Sequence, residues 1–488
     1  MRRILMGLGV IGVLIVTLVV VMGINTLLYR LPPAPEGLPE VAVAEVDADA
    51  IAGRLSEALR FRTVSRPDYS AVDYAPYDAF LAWLPEAYPG VHGAMELEFV
   101  NRTPIYRWPG ADASLPPVLF TGHYDVVPVP PETLANWDVD PWAGEIRDGF
   151  VWGRGALDDK QSVIALLEAA EAMIAAGARP ARDVWFIFGE DEEVGGRLGA
   201  AAATEMLAAR GVRFAWMLDE GSFIFDDVLP GLPAPVASIN VAEKGAVTLD
   251  LVATGQSGHS SLPPPETAVG ILVRAVAALE AEPVPGGLED VTKEFFDGFA
   301  PAFGGVNRVL FANQWLTAGL LEAELSKAAT TNALLRTTTA PTMLRASPQE
   351  NVLAGEAVAT VNFRVHPRDT VEGVIAHVEA VIDDPRIRVE PRGAGREASA
   401  VSSADTAGYA ALRTATEAVY GDVIVVPGLT IAATDVRHYG VLAEDAYRFI
   451  PMLFGPSDVP RLHGDNERVG VADMARLVQA YRAIMEAL

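Results

Sequence analysis

The stretch TGHYDVVPV, residues 121–129, sets an imidazole and a carboxylate two positions apart, directly after the apolar run Val118-Leu119-Phe120. Residues i and i+2 of an extended strand point to one face, so His123 and Asp125 can share a site before the prolines end the strand. A histidine that binds metal needs its ring fixed, and a carboxylate commonly does this. Taken alone, His-x-Asp also fits a plain polar turn. In GRGALDDK, 153–160, glycines permit close backbone approach and Asp158 precedes a helix expected from Gln161; the simpler role for Asp158 or Asp159 is a helix N-cap. The spacing of a phosphate-binding P-loop is missing. In GEDEEVGG, 189–196, neighbouring residues at a strand end diverge, so Glu192 and Glu193 can face a substrate and a metal respectively; a carboxylate beside an activated water is a general base. A solvated acidic loop is the alternative. LDEG, 218–221, and RLHGDNERV, 461–469, supply further acids and His463, one of seven histidines. Oxygen and nitrogen donors from separated loops, with no cysteine anywhere in the chain, suit divalent ions such as zinc.

These loops need strands to deliver them. The runs VLF (118–120), VWFIF (184–188) and FAWML (214–218) alternate with helix-like stretches, Gln161 to Ala176 and Gly199 to Ala209 among them. Strand and helix in alternation predict an α/β layered domain with a largely parallel sheet flanked by helices, whose sites gather at the carboxyl ends of the strands. Ahead of them, Val46 to Arg60 has helical spacing at Ile51, Leu55 and Leu59. After about Glu243 the pattern changes: 247–255 and 357–365 alternate as half-buried strands, with helices over 266–280 and up to about Val381. That is an inserted α+β unit. The stretch 283–345, rich in phenylalanine, shows no period and is assigned to the insertion. The expected division is 1–30 as an anchor, 31–44 as a linker, 45–243 and 396–488 as two parts of one catalytic domain, and 244–395 as the insertion.

From Ile4 to Ile24 there is no charged residue, and a helix of that length spans a hydrocarbon core of roughly 30 Å. Arg2 and Arg3 precede it, which predicts a cytoplasmic N-terminus and an extracytoplasmic (periplasmic or lumenal) catalytic domain. A cleaved signal peptide is the rival, but the apolar run is long and no A-x-A-like site follows. Formal charge is −27, and residues beyond 30 hold 34 basic against 64 acidic groups. Such a surface repels phosphate backbones, so nucleic acid is not an expected partner.

Nine motifs, TGHYDVVPV, GRGALDDK, DEEVGG, LDEG, SGHSS, NVLAGEA, NFRV, ATDVR and LHGDNERV, resemble those of the M20 metallopeptidases and occur in that family's order. The anchor and long insertion most resemble the branch of carboxypeptidase S and the N-acyl-amino-acid hydrolases. The resemblance implies a ferredoxin-like lid as the insertion and two zinc ions, with cobalt or manganese as substitutes, bridged by Asp158. His123 and Asp219 complete one site, Glu193 and His463 the other, and Glu220 is the alternative to Asp219. It further implies that Asp125 orients His123, that Glu192 is the general base, and that the bond after Asp158 is cis. His259 would polarise the scissile carbonyl; in dimeric relatives it comes from the partner chain, so a homodimer through the lid is admitted. Asn351, Arg364 and Arg437 would hold the substrate carboxylate or the tetrahedral oxygen, arginine because its planar fork binds a carboxylate bidentately; a structural salt bridge is the other reading of Arg364.

The expected reaction is hydrolysis of an amide next to a free carboxylate, in N-acyl amino acids, including long-chain ones, or at the C-terminus of small peptides. Two rivals share the residues: a peptide-specific carboxypeptidase or dipeptidase, and a membrane-tethered binding protein that keeps the fold without the chemistry.

Overall fold

The computed structural model describes residues 2–31, 41–227 and 231–488; most of the linker expected over 31–44 lies outside them. Two compact units emerge. One contains 41–241, 402–428 and 433–488; the other contains 2–31, 242–401 and 429–432.

The first unit is built on the apolar runs seen in the sequence. Val118–His123, Val184–Gly189 and Phe214–Asp219 are strands buried almost throughout, as expected of strands covered on both faces. Glu96–Val100, Thr103–Trp108, Val184–Gly189, Val118–His123, Phe214–Asp219 and Ala443–Arg448 lie side by side in that order. The last four run parallel, and the first two join antiparallel at the edge. The helix Lys160–Ala175 connects two of the parallel strands and is nearly wholly buried along Val163, Ile164, Leu166, Leu167 and Ala170. Ala48–Leu59 buries the stripe Ile51, Leu55 and Leu59, and Asp47 caps it by accepting the Ala50 N–H at 3.0 Å, a cap worth about 1 kcal/mol. The helix expected from Gly199 becomes α-helical only at Ala202, after a π-turn over Arg197–Ala201. Asp191 explains the irregular start: its carboxylate takes the Leu198 and Gly199 N–H groups, each at 2.8 Å.

In the second unit, strands Thr338–Arg345, Glu356–Val365, Gly245–Thr254 and Ile387–Pro391 form an antiparallel sheet in that order. With helices Ala268–Ala281 and Val371–Ile382 between them in sequence, this is the β-α-β-β-α-β ferredoxin-like arrangement. Leu249, Leu251, Val361, Phe363 and Val365 point to the helices and pack with Ile271, Leu272, Val374 and Val378. The stretch with no period proves helical: Asp290–Phe299, Gly305–Ala312, Gln314–Leu325 and Ala329–Leu335. Phe295, Phe296, Phe299, Phe303 and Phe311 pack on one another there, with ring centroids 5.1 to 5.9 Å apart. The helix Arg2–Leu28 belongs to this unit, and Leu8–Leu28 is long and apolar enough to cross a membrane.

Candidate metal centre

Because the central strands are parallel, their carboxyl ends share one edge of the sheet, and His123, Asp219 and the loop starting at Glu190 all stand there. Asp158 occupies the middle of the cluster. One of its oxygens is 3.0 Å from His123 Nε2 and the other is 2.9 Å from His463 Nε2. His463 Nε2 is also 3.2 Å from Glu193 Oε2. Ligand atoms of His123, Asp158 and Glu193 lie within 4.8 Å of one another.

Each candidate ligand is held by groups beyond it. Asp125, fully buried, is 3.3 Å from His123 Nδ1 and accepts the backbone N–H groups of Glu192 at 3.0 Å and Glu193 at 3.3 Å. One carboxylate thus fixes both the ring and the loop carrying the two glutamates. The Asp158–Asp159 peptide bond is cis. Asp159 stands at the N-cap position of the following helix but its side chain makes no capping bond; one oxygen accepts the His123 N–H at 3.2 Å. His463 has a left-handed backbone, φ 58°, uncommon outside glycine. Arg154 stabilises that turn by donating to the His463 and Gly464 carbonyls, while Glu467 pairs with Arg154 and takes the N–H groups of Gly155 at 3.0 Å and Leu157 at 2.7 Å. Arg154 and Glu467 were not singled out from the sequence. They flank the candidate ligands inside GRGALDDK and LHGDNERV, and their signal was a pair of opposite charges in two motifs expected to meet.

The charge balance favours a cation. Glu192 and Glu193 are raised first by burial and then by the neighbouring charges of Asp435 and Asp158 respectively. Asp219 and Glu220 are likewise raised by burial, Glu220 next by Asp158. His463 is pushed up to about 10 by its bonds to Asp158 and Glu193. His123 is also raised: burial lowers it, but Asp125 and Asp158 outweigh that. Buried carboxyls raised in this way are what a bound cation would offset. Glu193 Oε1 is buried without a hydrogen-bond partner, which suits an oxygen that ligates an ion. A donor set of imidazoles and carboxylates without sulfur fits zinc.

Two of the expected residues also have partners within the protein. Asp219 Oδ2 accepts the Val436 N–H at 3.2 Å, so its carboxylate braces the loop 433–437. Arg437 donates to Glu192 Oε1 at 2.9 Å. On the other unit, Gly258–His259 pairs with Val352–Leu353, and Ser260 N–H donates to the Asn351 carbonyl at 3.0 Å, so His259 and Asn351 share one short ladder. His259 Nδ1 accepts the Ser261 N–H at 3.1 Å, which leaves the ring proton on Nε2. Arg364 lies in the strand Glu356–Val365, opposite Ala246 and Thr338, on the face away from the helices.

This fold and donor set define a hydrolase of the metallopeptidase class. The chain matches peptidase family M20/M25/M40 over residues 119–487 and belongs to it. It is 39% identical over 436 residues to the probable carboxypeptidase S-like 2 of Dictyostelium discoideum, covering 88% of this chain and 83% of that protein. It is 38% identical over 444 residues to the N-fatty-acyl-amino acid synthase/hydrolase PM20D1 of Mus musculus, covering 89% and 87%. The M20 family metallo-carboxypeptidase Sso-CP2 from Sulfolobus solfataricus shares the fold, with a TM-score of 0.60 at 18% identity over 89% of this chain and 98% of that one.

Proposed function

We propose that the chain is a membrane-anchored, binuclear zinc amidohydrolase that cleaves N-acyl amino acids, long-chain ones included. The observation carrying this reading is Asp158 placed between His123 and His463, one oxygen toward each. His123 and Asp219 would complete one ion's ligands, Glu193 and His463 the other's. Asp219 accepts the Val436 N–H at one oxygen, which orients a ligating carboxylate as outer partners do, and Glu220 is the alternative. Bound zinc supplies Lewis acidity and lowers the pKa of water.

The chain's own residues do the rest. Glu192 takes the proton of the attacking water and passes it to the amide nitrogen as the C–N bond breaks. His259 donates its Nε2 proton as a hydrogen bond to the developing oxyanion. Arg364 and Asn351 are assigned to the substrate carboxylate. Lys244 beside Arg364 is held down at about 7, first by burial and then by the Arg364 charge, with Asp369 opposing. Leu8–Leu28 is assigned as the anchor, with the N-terminus cytoplasmic. Relatives named for N-fatty-acyl-amino acids favour that substrate class; carboxypeptidase S-like relatives keep peptide cleavage as the second reading.

The test uses the zinc-loaded full chain in detergent, with N-acyl amino acids from acetyl to long-chain acyl compared against dipeptides, each with and without chelator. Chelator-sensitive turnover that rises with acyl length is expected. Preference for dipeptides would move the assignment to peptidase, and no chelator-sensitive turnover of any substrate would leave a binding protein.

A further inference from the structure

The segment Gly298–Leu321 contains one charged residue, Arg308, although charged residues make up 21% of the chain. It includes the helix Gly305–Ala312 and most of Gln314–Leu325. The phenylalanines behind these helices are packed away, but Val306 is 71% exposed, Trp315 60%, Leu316 50% and Leu320 59%. Charges resume only at Glu322 and Glu324. A contiguous exposed apolar surface of this kind marks an interaction site.

The neighbouring element identifies what covers it. Asn313, fully buried between the two helices, donates one Nδ2 hydrogen to the Val309 carbonyl at 2.8 Å, shares the other between the Met22 carbonyl and Thr26 Oγ1, each at 3.3 Å, and accepts from Asn25 Nδ2 at 3.2 Å. Arg308 donates to the Thr26 carbonyl at 3.3 Å and the Tyr29 carbonyl at 2.5 Å, satisfying groups left open at the end of the apolar helix. Tyr29 OH donates to Asp297 at 3.0 Å, and Asp297 in turn accepts from Gln314 Nε2 at 2.7 Å. Met22 lies six residues inside the end of the Leu8–Leu28 span, about 9 Å at 1.5 Å per residue. Interfacial helices bury their apolar face about 5–10 Å into the boundary between headgroups and acyl chains.

We propose that Gly305–Ala312 and Gln314–Leu325 form a foot that enters the outer leaflet of the membrane beside the anchor, with Val306, Trp315, Leu316 and Leu320 in contact with lipid. This rests on the anchor reading of Leu8–Leu28. Tryptophan suits that depth because its ring is apolar and its N–H is polar. A water-facing role does not account for an apolar surface whose one charge, Arg308, is tied by hydrogen bonds to a helix at that depth.

The chain has no cysteine, so single cysteines can report position. Full-length V13C, L316C, L320C and V441C, each carrying an environment-sensitive fluorophore, are reconstituted in phosphatidylcholine vesicles containing brominated lipid. Val13 lies in the span and Val441 is an exposed site of the other unit. Quenching at 316 and 320 comparable to that at 13, with none at 441, is expected. Quenching at 13 without quenching at 316 and 320 overturns the foot and leaves the anchor intact. No quenching at 13 overturns the anchor reading, and the foot with it.

Discussion

Arg437 Nη2 stands 2.9 Å from Glu192 Oε1 and 3.1 Å from the Glu192 carbonyl. The arginine that the motif order suggests for the substrate carboxylate is bound to the residue proposed as general base. Burial and Asp435 raise the Glu192 carboxyl, and Arg437 opposes them. Arg437→Gln is therefore expected to lower kcat by roughly 10- to 100-fold and to move the acid limb of kcat/KM to higher pH, because a base with a higher pKa is ionised only at higher pH. A rise in KM with kcat and the pH profile unchanged would return Arg437 to substrate binding.

Asp125 joins the His123 ring to the Glu192 and Glu193 backbone. Asp125→Asn keeps the shape but loses the charge, and its amide has one accepting oxygen and a donating NH2 where the carboxylate accepts at both oxygens. Zinc affinity is expected to fall about 10- to 100-fold, as read by competition with a chromophoric chelator. Unchanged affinity would make Asp125 a purely structural residue.

The buried Arg154–Glu467 pair ties the loop before Asp158 to the loop bearing His463. Removing one partner strands the other charge, so Arg154→Met is expected to cost about 3–5 kcal/mol in chemical denaturation. Replacing both, Arg154→Met with Glu467→Gln, should cost less than the sum of the single changes. Additive losses would show that the two charges act independently.

His366 supplies a pH prediction away from the candidate metal centre. Its Nδ1 accepts the Arg368 N–H at 3.3 Å, and its Nε2 lies 3.1 Å from Thr292 Oγ1. Burial first, then the Arg368 and Lys244 charges, hold it down at about 3 against an ordinary 6.5. The unfolded chain therefore binds a proton between these values that the folded chain refuses. Its contribution is complete above about pH 6.5, and stability drops as pH falls toward 3. Denaturation across this window should show a shallower acid loss in His366→Gln; an unchanged slope would assign the loss to other groups.

The parallel strands were legible because Val118–His123, Val184–Gly189 and Phe214–Asp219 are buried on both faces, which leaves continuous apolar runs. The stripe Ile51, Leu55, Leu59 was equally plain, since one face of that helix meets the core. The helices of 290–335 hid because their phenylalanines pack on one another and because an exposed face that is apolar erases the polar half of the period. At the site, residue type and motif order gave the candidates, but not the direction of the acids in LDEG. Asp219 ends a strand, and its hydrogen bond to the Val436 N–H depends on a loop more than 200 positions away. Arg437 is similar: its fork geometry suits a substrate carboxylate or a protein one, and only the folded chain supplies Glu192.

The most direct measurement is zinc content and turnover of Glu192→Gln beside the parent chain. Retained zinc with hydrolysis of an N-acyl amino acid reduced by about 10²- to 10⁴-fold is the predicted result. Retained zinc with near-normal turnover would contradict the assignment of Glu192 as the general base, and with it the proposed route of the proton from water to the leaving amine.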